Sequence, residues 1–268
     1  MTEGVFNCLY DKKRTLAFKK AIRQTVRKGD IVVDAGSGTG VMAMFAADAG
    51  AKRVYAVEFD EINVHRLRQI FASNGYGKKI KVISADTTKV KMPEKVDVIV
   101  CEMIATGLIE ELQVPAMNNI LKYVNRGYRV VLKEYSCHAD LVDHKNVFYN
   151  KKFDIPRYEY PDKPSLRSKV LSNRVTYKVC DFSQPIRDVR VVKQLDFSIQ
   201  KRGHINGLRL YGTTMFHGNT SFAHSFSYSF PVILPLDNFA VARGDKLTFD
   251  LRYRLCGGFE SLRYTLAK

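Results

Sequence analysis

At 268 residues the chain has room for one large domain or two modest ones, and its 46% apolar share is ordinary for a protein with a proper core. No apolar run approaches the length of a membrane span, the N-terminus lacks the apolar stretch of a signal peptide, and the five cysteines never form a C-x-x-C pair. Those features argue against a membrane protein, a disulfide framework and a zinc site, and point to a reducing cytoplasm. The 43 Lys and Arg against 27 Asp and Glu leave a net charge of +16, spread over both halves, which either attracts nucleic acid or another polyanion or simply solvates the surface.

In chain order, residues 11–28 set Leu16, Ala17, Ala21, Ile22 and Val26 among lysines and arginines, the spacing of an amphipathic helix. Strands and helices then alternate. Strands are predicted at 31–34, 54–58, 80–84, 96–102 and 129–134, with helices at 41–49, 61–74 and 110–123. This order predicts a mainly parallel sheet covered on both faces. After Glu134 the texture changes. Residues 189–200, 207–216, 225–234 and 246–255 alternate apolar and polar side chains between turns such as Gly218-Asn219, the pattern of antiparallel strands and a barrel-like domain. Residues 156–172, rich in Pro, Tyr, Arg and Lys, read as a loop crossing. Two domains are therefore expected, 1–135 and 136–268.

The chemistry concentrates in the first half. Residues 32–40 read Val-Val-Asp-Ala-Gly-Ser-Gly-Thr-Gly, a strand running into a glycine-rich turn and then a helix; Glu58 closes the next strand. Glycines let the backbone approach a ligand, and an acid at the tip of the second strand accepts from two ribose hydroxyls. The alternating Gly36, Gly38 and Gly40 after Asp34 differ from a dinucleotide fingerprint. The Asp-x-Gly-x-Gly-x-Gly form resembles motif I of class I methyltransferases, which bind S-adenosylmethionine. The strand over 97–101 delivers Glu102 to its carboxyl end, and Glu111 follows nine residues on. Two such acids beside a methyl donor are able to clasp a cation through bidentate hydrogen bonds. Alternatively Glu102 caps a strand, and Glu110 and Glu111 form the acidic first turn of a helix, which the macrodipole favours.

The whole chain resembles the protein arginine methyltransferases. Asp11-Lys12-Lys13-Arg14-Thr15 is similar to that family's Asp-x-x-Arg-Thr segment; the stretch from Val33 to Glu58 matches nearly residue for residue; Glu94 to Met103 resembles the strand into the family's double-glutamate loop, whose second glutamate falls on Glu111 without a gap. Ala223-His224-Ser225 lies where the family has Thr-His-Trp. The resemblance implies a class I methyltransferase (Rossmann-like) α/β sheet followed by a β-barrel-like domain, with S-adenosylmethionine as cofactor and no metal. It implies that Arg14 pairs with the methionine carboxylate, that Asp34, Gly36, Gly38 and Gly40 shape the pocket, that Glu58 takes the ribose and that Asp86 faces the adenine. Glu102 and Glu111 would then bind and polarise the acceptor nitrogen, with His224 as proton acceptor or support.

Departures from the family are equally plain. Asp11 lies so near the start that the Tyr-rich covering helix has no room; Ser225 stands where the indole walls the arginine pocket; and the dimerisation arm is reduced to residues 156–172. His65, His138 and His144 read as surface residues, and Cys101 as a buried thiol. The Asn/Asp-Pro-Pro-aromatic signature of base amine methylation is absent. The expected partner is thus a protein acceptor. Nucleic acid is the alternative that +16 favours, as an RNA- or ribosome-directed methyltransferase, and a non-catalytic cofactor-binding protein is a third reading.

Overall fold

The computed structural model describes residues 3–160, 163–225 and 227–267. Five parallel strands, β1 (Ile31–Ala35), β2 (Arg53–Glu58), β3 (Ile80–Ser84), β4 (Val96–Cys101) and β5 (Val124–Val130), form a sheet in the order β3-β2-β1-β4-β5. β1 and β4 are buried almost throughout, as a central parallel strand must be when helices cover both faces. The strand order reverses between β1 and β4. Their carboxyl ends therefore open a crevice at the topological switch point, where sheets of this kind bind ligands.

The helices are α1 (Glu3–Tyr10), α2 (Lys12–Thr25), α3 (Val41–Asp48), α4 (Glu61–Ser73) and α5 (Gln113–Ile120). Local chemistry fixes their starts. Asp11 caps α2 by accepting from the Arg14 amide at 3.0 Å, and Asp60 caps α4 by accepting from the Asn63 amide at 2.9 Å. The predicted helix over 110–123 is shorter. Gly107 and Leu108 take positive φ, Glu110 and Glu111 sit in a bend, and α5 begins at Gln113, with Pro115 in the first turn where no amide partner is needed.

β5 runs through Val131 into β6 (Leu132–Asp143), the first long strand of an antiparallel seven-stranded sheet built mainly with Val175–Asp181, Gly203–Phe216 and Val232–Val241. A three-stranded sheet, Arg190–Ser198, Lys246–Arg254 and Arg263–Leu266, accompanies it. The strand predicted at 225–234 lies seven residues later than expected. Ser229 adopts φ 48° and Pro231 cannot donate to a ladder, so pairing starts only at Val232. The loop predicted over 156–172 contains two-residue strands at Arg157–Tyr158 and Lys169–Val170. One apolar core runs from the parallel sheet into both antiparallel sheets. Among the described residues no helix is long and apolar enough to cross a membrane.

Candidate active site

The glycine turn after β1 is built from left-handed backbone. Gly36, Gly38 and Gly40 have φ of 80°, 53° and 77°, a region L side chains rarely enter. Space adds a second constraint at Gly40, where a Cβ would lie 2.7 Å from Leu67 and Phe71 of α4. Glu58, buried at the tip of β2, reaches back to this turn. Its carboxylate accepts from the Gly38 amide at 2.9 Å and from the Phe59 and Asp60 amides at 3.0 and 3.1 Å. Three of its four lone-pair directions are thereby fixed. Asp34 is wholly enclosed beneath the turn, and burial pushes its carboxyl up to about 7 although Ser37 and Ala43 hydrogen-bond to it. Its Oδ2 has no partner within the protein.

Arg14 enters from α2 and is 5% exposed, so it needs compensation. One guanidinium nitrogen donates to the Glu102 carboxylate at the end of β4 and another to the Cys8 carbonyl at 3.3 Å, while its buried Nε has no partner. A buried cation with a free N–H, beside a buried carboxylate oxygen without a donor and a left-handed glycine turn, fits a zwitterionic amino-acid ligand. Glu111 is exposed just beyond the loop that follows Glu102, yet close enough to Arg14 for their charges to interact. Its carboxyl is raised by the desolvating walls and then by Glu110, with Arg14 pulling the other way. Arg14, Asp34, Glu58, Glu102 and Glu111 thus form one electrostatic constellation. Asp86 stands apart: exposed after β3, it accepts from the Thr88 amide and hydroxyl at 2.8 and 2.7 Å and pairs with Lys89.

Gln113, which sequence patterning did not single out, locks the glutamate loop from inside. Fully buried, it accepts from the Met103 amide at 2.8 Å and donates to the Cys101 carbonyl at 3.2 Å, so it ties both neighbours of Glu102 to the start of α5. Cys101 contributes no nucleophile. Burial, then Asp34 and Glu111, push its thiol up, and its sulfur instead approaches Gln113 at 3.5 Å.

A family model described as ribosomal protein L11 methyltransferase matches residues 15–129. Protein arginine N-methyltransferase 7 of Gallus gallus is 30% identical over 236 residues, covering 73% of this chain and 34% of that protein. Protein arginine N-methyltransferase 1 of Schizosaccharomyces pombe is 41% identical over 106 residues, 38% of this chain and 31% of its own length. The chain resembles the S-adenosylmethionine-dependent protein arginine methyltransferases, and its first half matches a class I methyltransferase family model. It spans about a third or less of those two relatives, whereas an uncharacterised protein of Methanocaldococcus jannaschii is 27% identical with 97% and 95% coverage. The fold is that of solved arginine methyltransferases. The Arabidopsis thaliana protein arginine methyltransferase 10 superposes with a TM-score of 0.78 at 15% identity, over 96% of this chain and 94% of its own. The Trypanosoma brucei PRMT1 enzyme–prozyme complex with AdoHcy gives 0.78 at 18% identity, over 91% of this chain and 85% of that one.

A helix nonetheless precedes Asp11, where the sequence leaves the family's Tyr-rich helix no room. In α1, Val5 lies 3.1 Å from where a Gly38 Cβ would stand, and Cys8 offers its carbonyl to Arg14 and Thr15. Ser225 acquires a different task from an aromatic wall. It donates to Asp11 at 2.5 Å, and Ser227 adds its amide and hydroxyl at 2.8 and 3.0 Å, so the segment before Val232 grips the helix that carries Arg14. His224 accepts through its carbonyl from Lys13 at 3.4 Å and lines a cavity of about 280 Å³ with Glu159, Tyr160, Arg167, Ser168 and Arg209. Burial, then Lys13 and Arg209, lower its pKa, which favours the neutral ring. His138 and His144 are buried, not superficial. His138 sits between Thr176 and Thr213 with its pKa pushed down to about 4 by burial and Arg174, and the His144 amide donates to Asn206. His65 is exposed on α4.

Proposed function

We propose that this chain transfers the methyl group of S-adenosylmethionine to a guanidinium nitrogen of a protein acceptor, with residues 1–135 holding the cofactor and 136–268 facing the acceptor. The observation that carries the reading is the meeting of two carboxylates around Arg14: Glu102 buried against it and Glu111 exposed but close enough for their charges to interact. When bound, the cofactor supplies a methyl group already activated on a sulfonium, so the protein must supply proximity, alignment and charge. Arg14 would hold the cofactor's carboxylate through its unpartnered Nε side, and this second anion would loosen its grip on Glu102. Asp34 would accept from an N–H of the methionine end, and Glu58 would use its remaining lone-pair direction for ribose. Glu102 and Glu111 would hold the acceptor's N–H groups and leave one nitrogen directed at the methyl. His224, held neutral, is suited to take a proton. Asp86, committed to its own turn, would reach the adenine only from the rim.

Five cysteines without a disulfide favour a reducing, cytoplasmic setting. The second reading, an RNA-directed enzyme, is favoured by α2. That helix carries no acidic residue, and Lys19, Lys20 and Arg23 line a surface groove of about 310 Å³ with Leu16 and Gln24. Incubation with radiolabelled cofactor and cell extract, followed by protease or ribonuclease, separates the two. The protein-acceptor reading expects protease to remove the label and ribonuclease to spare it. The reverse result favours RNA.

A further inference from the structure

The backbone leading to Glu110 and Glu111 is held in an uncommon shape. Gly107 and Leu108 have φ of 66° and 53°, and a leucine in that region persists only where its surroundings over-determine it. Leu108 and Ile109 are fully buried, so their carbonyls need partners. The second domain supplies them. Just past the strand Lys246–Arg254, the Cys256 amide donates to the Leu108 carbonyl at 2.7 Å and the Gly258 amide to the Ile109 carbonyl at 2.8 Å. From within that strand, the Tyr253 hydroxyl donates to the Gly107 carbonyl at 2.7 Å. Three consecutive carbonyls upstream of the glutamates are therefore gripped by one short segment, 253–258. On the other side Thr106 donates its hydroxyl to the Phe230 carbonyl.

The gripping segment is itself well fixed. Tyr253 is 5% exposed, packs edge-on to Tyr177 at 6.4 Å and 79°, and approaches the Tyr177 hydroxyl at 3.4 Å. Burial raises its pKa, so the hydroxyl stays protonated and keeps donating. Gly258 has φ 74°, a left-handed conformation that favours glycine, and a Cβ there would also push the Glu260 carboxylate aside. Gln113 fixes the Glu102 side of the loop from within the first domain, whereas the Glu111 side is fixed from the second.

We propose that Tyr253 and the turn at 256–258 are positioning elements that set the Glu111 carboxylate against that of Glu102, making the acceptor site dependent on how the second domain docks. The proposal rests on the glutamate-pair reading of the function. None of these residues takes part in the constellation around Arg14; they act through three main-chain carbonyls.

The test combines Tyr253→Phe, which removes one hydroxyl and keeps the ring, with Gly258→Ala, which disturbs the turn independently. Amide hydrogen exchange over 105–112 reads the grip directly. Methyl transfer to an arginine-bearing protein, with cofactor affinity by calorimetry, reads its consequence. Both variants should speed exchange in 105–112 and lower kcat about tenfold, while cofactor affinity and exchange in the parallel strands stay at parental values. A purely structural role would instead weaken cofactor binding and loosen both domains together. Parental exchange in both variants overturns the grip. Faster exchange with parental kcat overturns the positioning role. A parent that methylates no protein sinks the glutamate reading, and the exchange data still decide whether the turn holds the loop.

Discussion

Asp34 is buried without a full set of partners, and its carboxyl titrates near 7 instead of the usual 3.8. A raised folded pKa means the proton favours the folded state. In the ligand-free protein the stabilising contribution of Asp34 should therefore be complete below about pH 4 and be lost as pH rises through 7, a swing of at most about 4 kcal/mol. Asp34→Asn should remove that slope, as thermal melts from pH 5 to 8 in the absence of cofactor will read. The glutamates make a sharper pair of predictions, because burial separates them. Glu102→Gln and Glu111→Gln should each cut methyl transfer by about 10- to 150-fold, the worth of one charge-assisted hydrogen bond. Only Glu102→Gln should lower the melting temperature, since it leaves Arg14 buried without its counter-charge, a loss of about 3–5 kcal/mol. Freed from Glu102, Arg14 should bind cofactor at least as tightly as before. Weaker cofactor binding in Glu102→Gln would mean that the carboxylate orients Arg14 and does not compete with the cofactor for it.

Among the elements, the parallel sheet was legible because each central strand is an apolar run bounded by a turn signal, and the helices between them keep a 3.6-residue period. The structure moves most of those boundaries by only one or two residues; β5 starts five residues before the predicted strand, at Val124, and hands over to β6, and α5 loses three residues at each end. Elements whose limits depend on distant partners were misplaced. The helix expected from Glu110 starts at Gln113 because the preceding backbone turns through left-handed Gly107 and Leu108, and the strand expected from Ser225 starts at Val232 because Ser229 is left-handed and Pro231 has no amide to donate. In the site, Asp34, Glu58 and Glu102 stood out from strand-and-turn spacing, whereas Arg14 and Glu111 came from the family resemblance. Gln113 and Tyr253 were legible from neither, because each bonds to main-chain atoms and a carbonyl leaves no mark in the sequence that reveals its partner. The buried histidines were misread for a related reason: the hydroxyls of Thr176 and Thr213 that satisfy His138 lie 38 and 75 residues away. Gly40 shows how an element depends on one position. Gly40→Ala should cost about 2–4 kcal/mol through left-handed strain and overlap with Leu67 and Phe71, read as a lower melting temperature.

At the scale of the molecule, attachments between the two halves of the chain meet at the site, among them Asp11 with Ser225 and Ser227 on the Arg14 side, and Tyr253 with the 256–258 turn on the Glu111 side. The acceptor would thus meet a crevice whose two walls come from different halves of the chain. Net charge sets how that acceptor approaches. A basic, arginine-bearing protein is repelled by a +16 surface and drawn only by local acids, so added salt should leave its KM unchanged or lower it. RNA binding would instead weaken about a thousandfold or more between about 50 and 200 mM salt. Transfer to guanidinium nitrogen under the control of the glutamate pair is tested most directly by hydrolysing the acceptor to free amino acids. After reaction with labelled S-adenosylmethionine, the label should run with methylated arginine for the parent protein and fall sharply for Glu102→Gln and Glu111→Gln. Label on another amino acid or on a nucleotide, or methylarginine formed at the parental rate by both variants, would contradict the account.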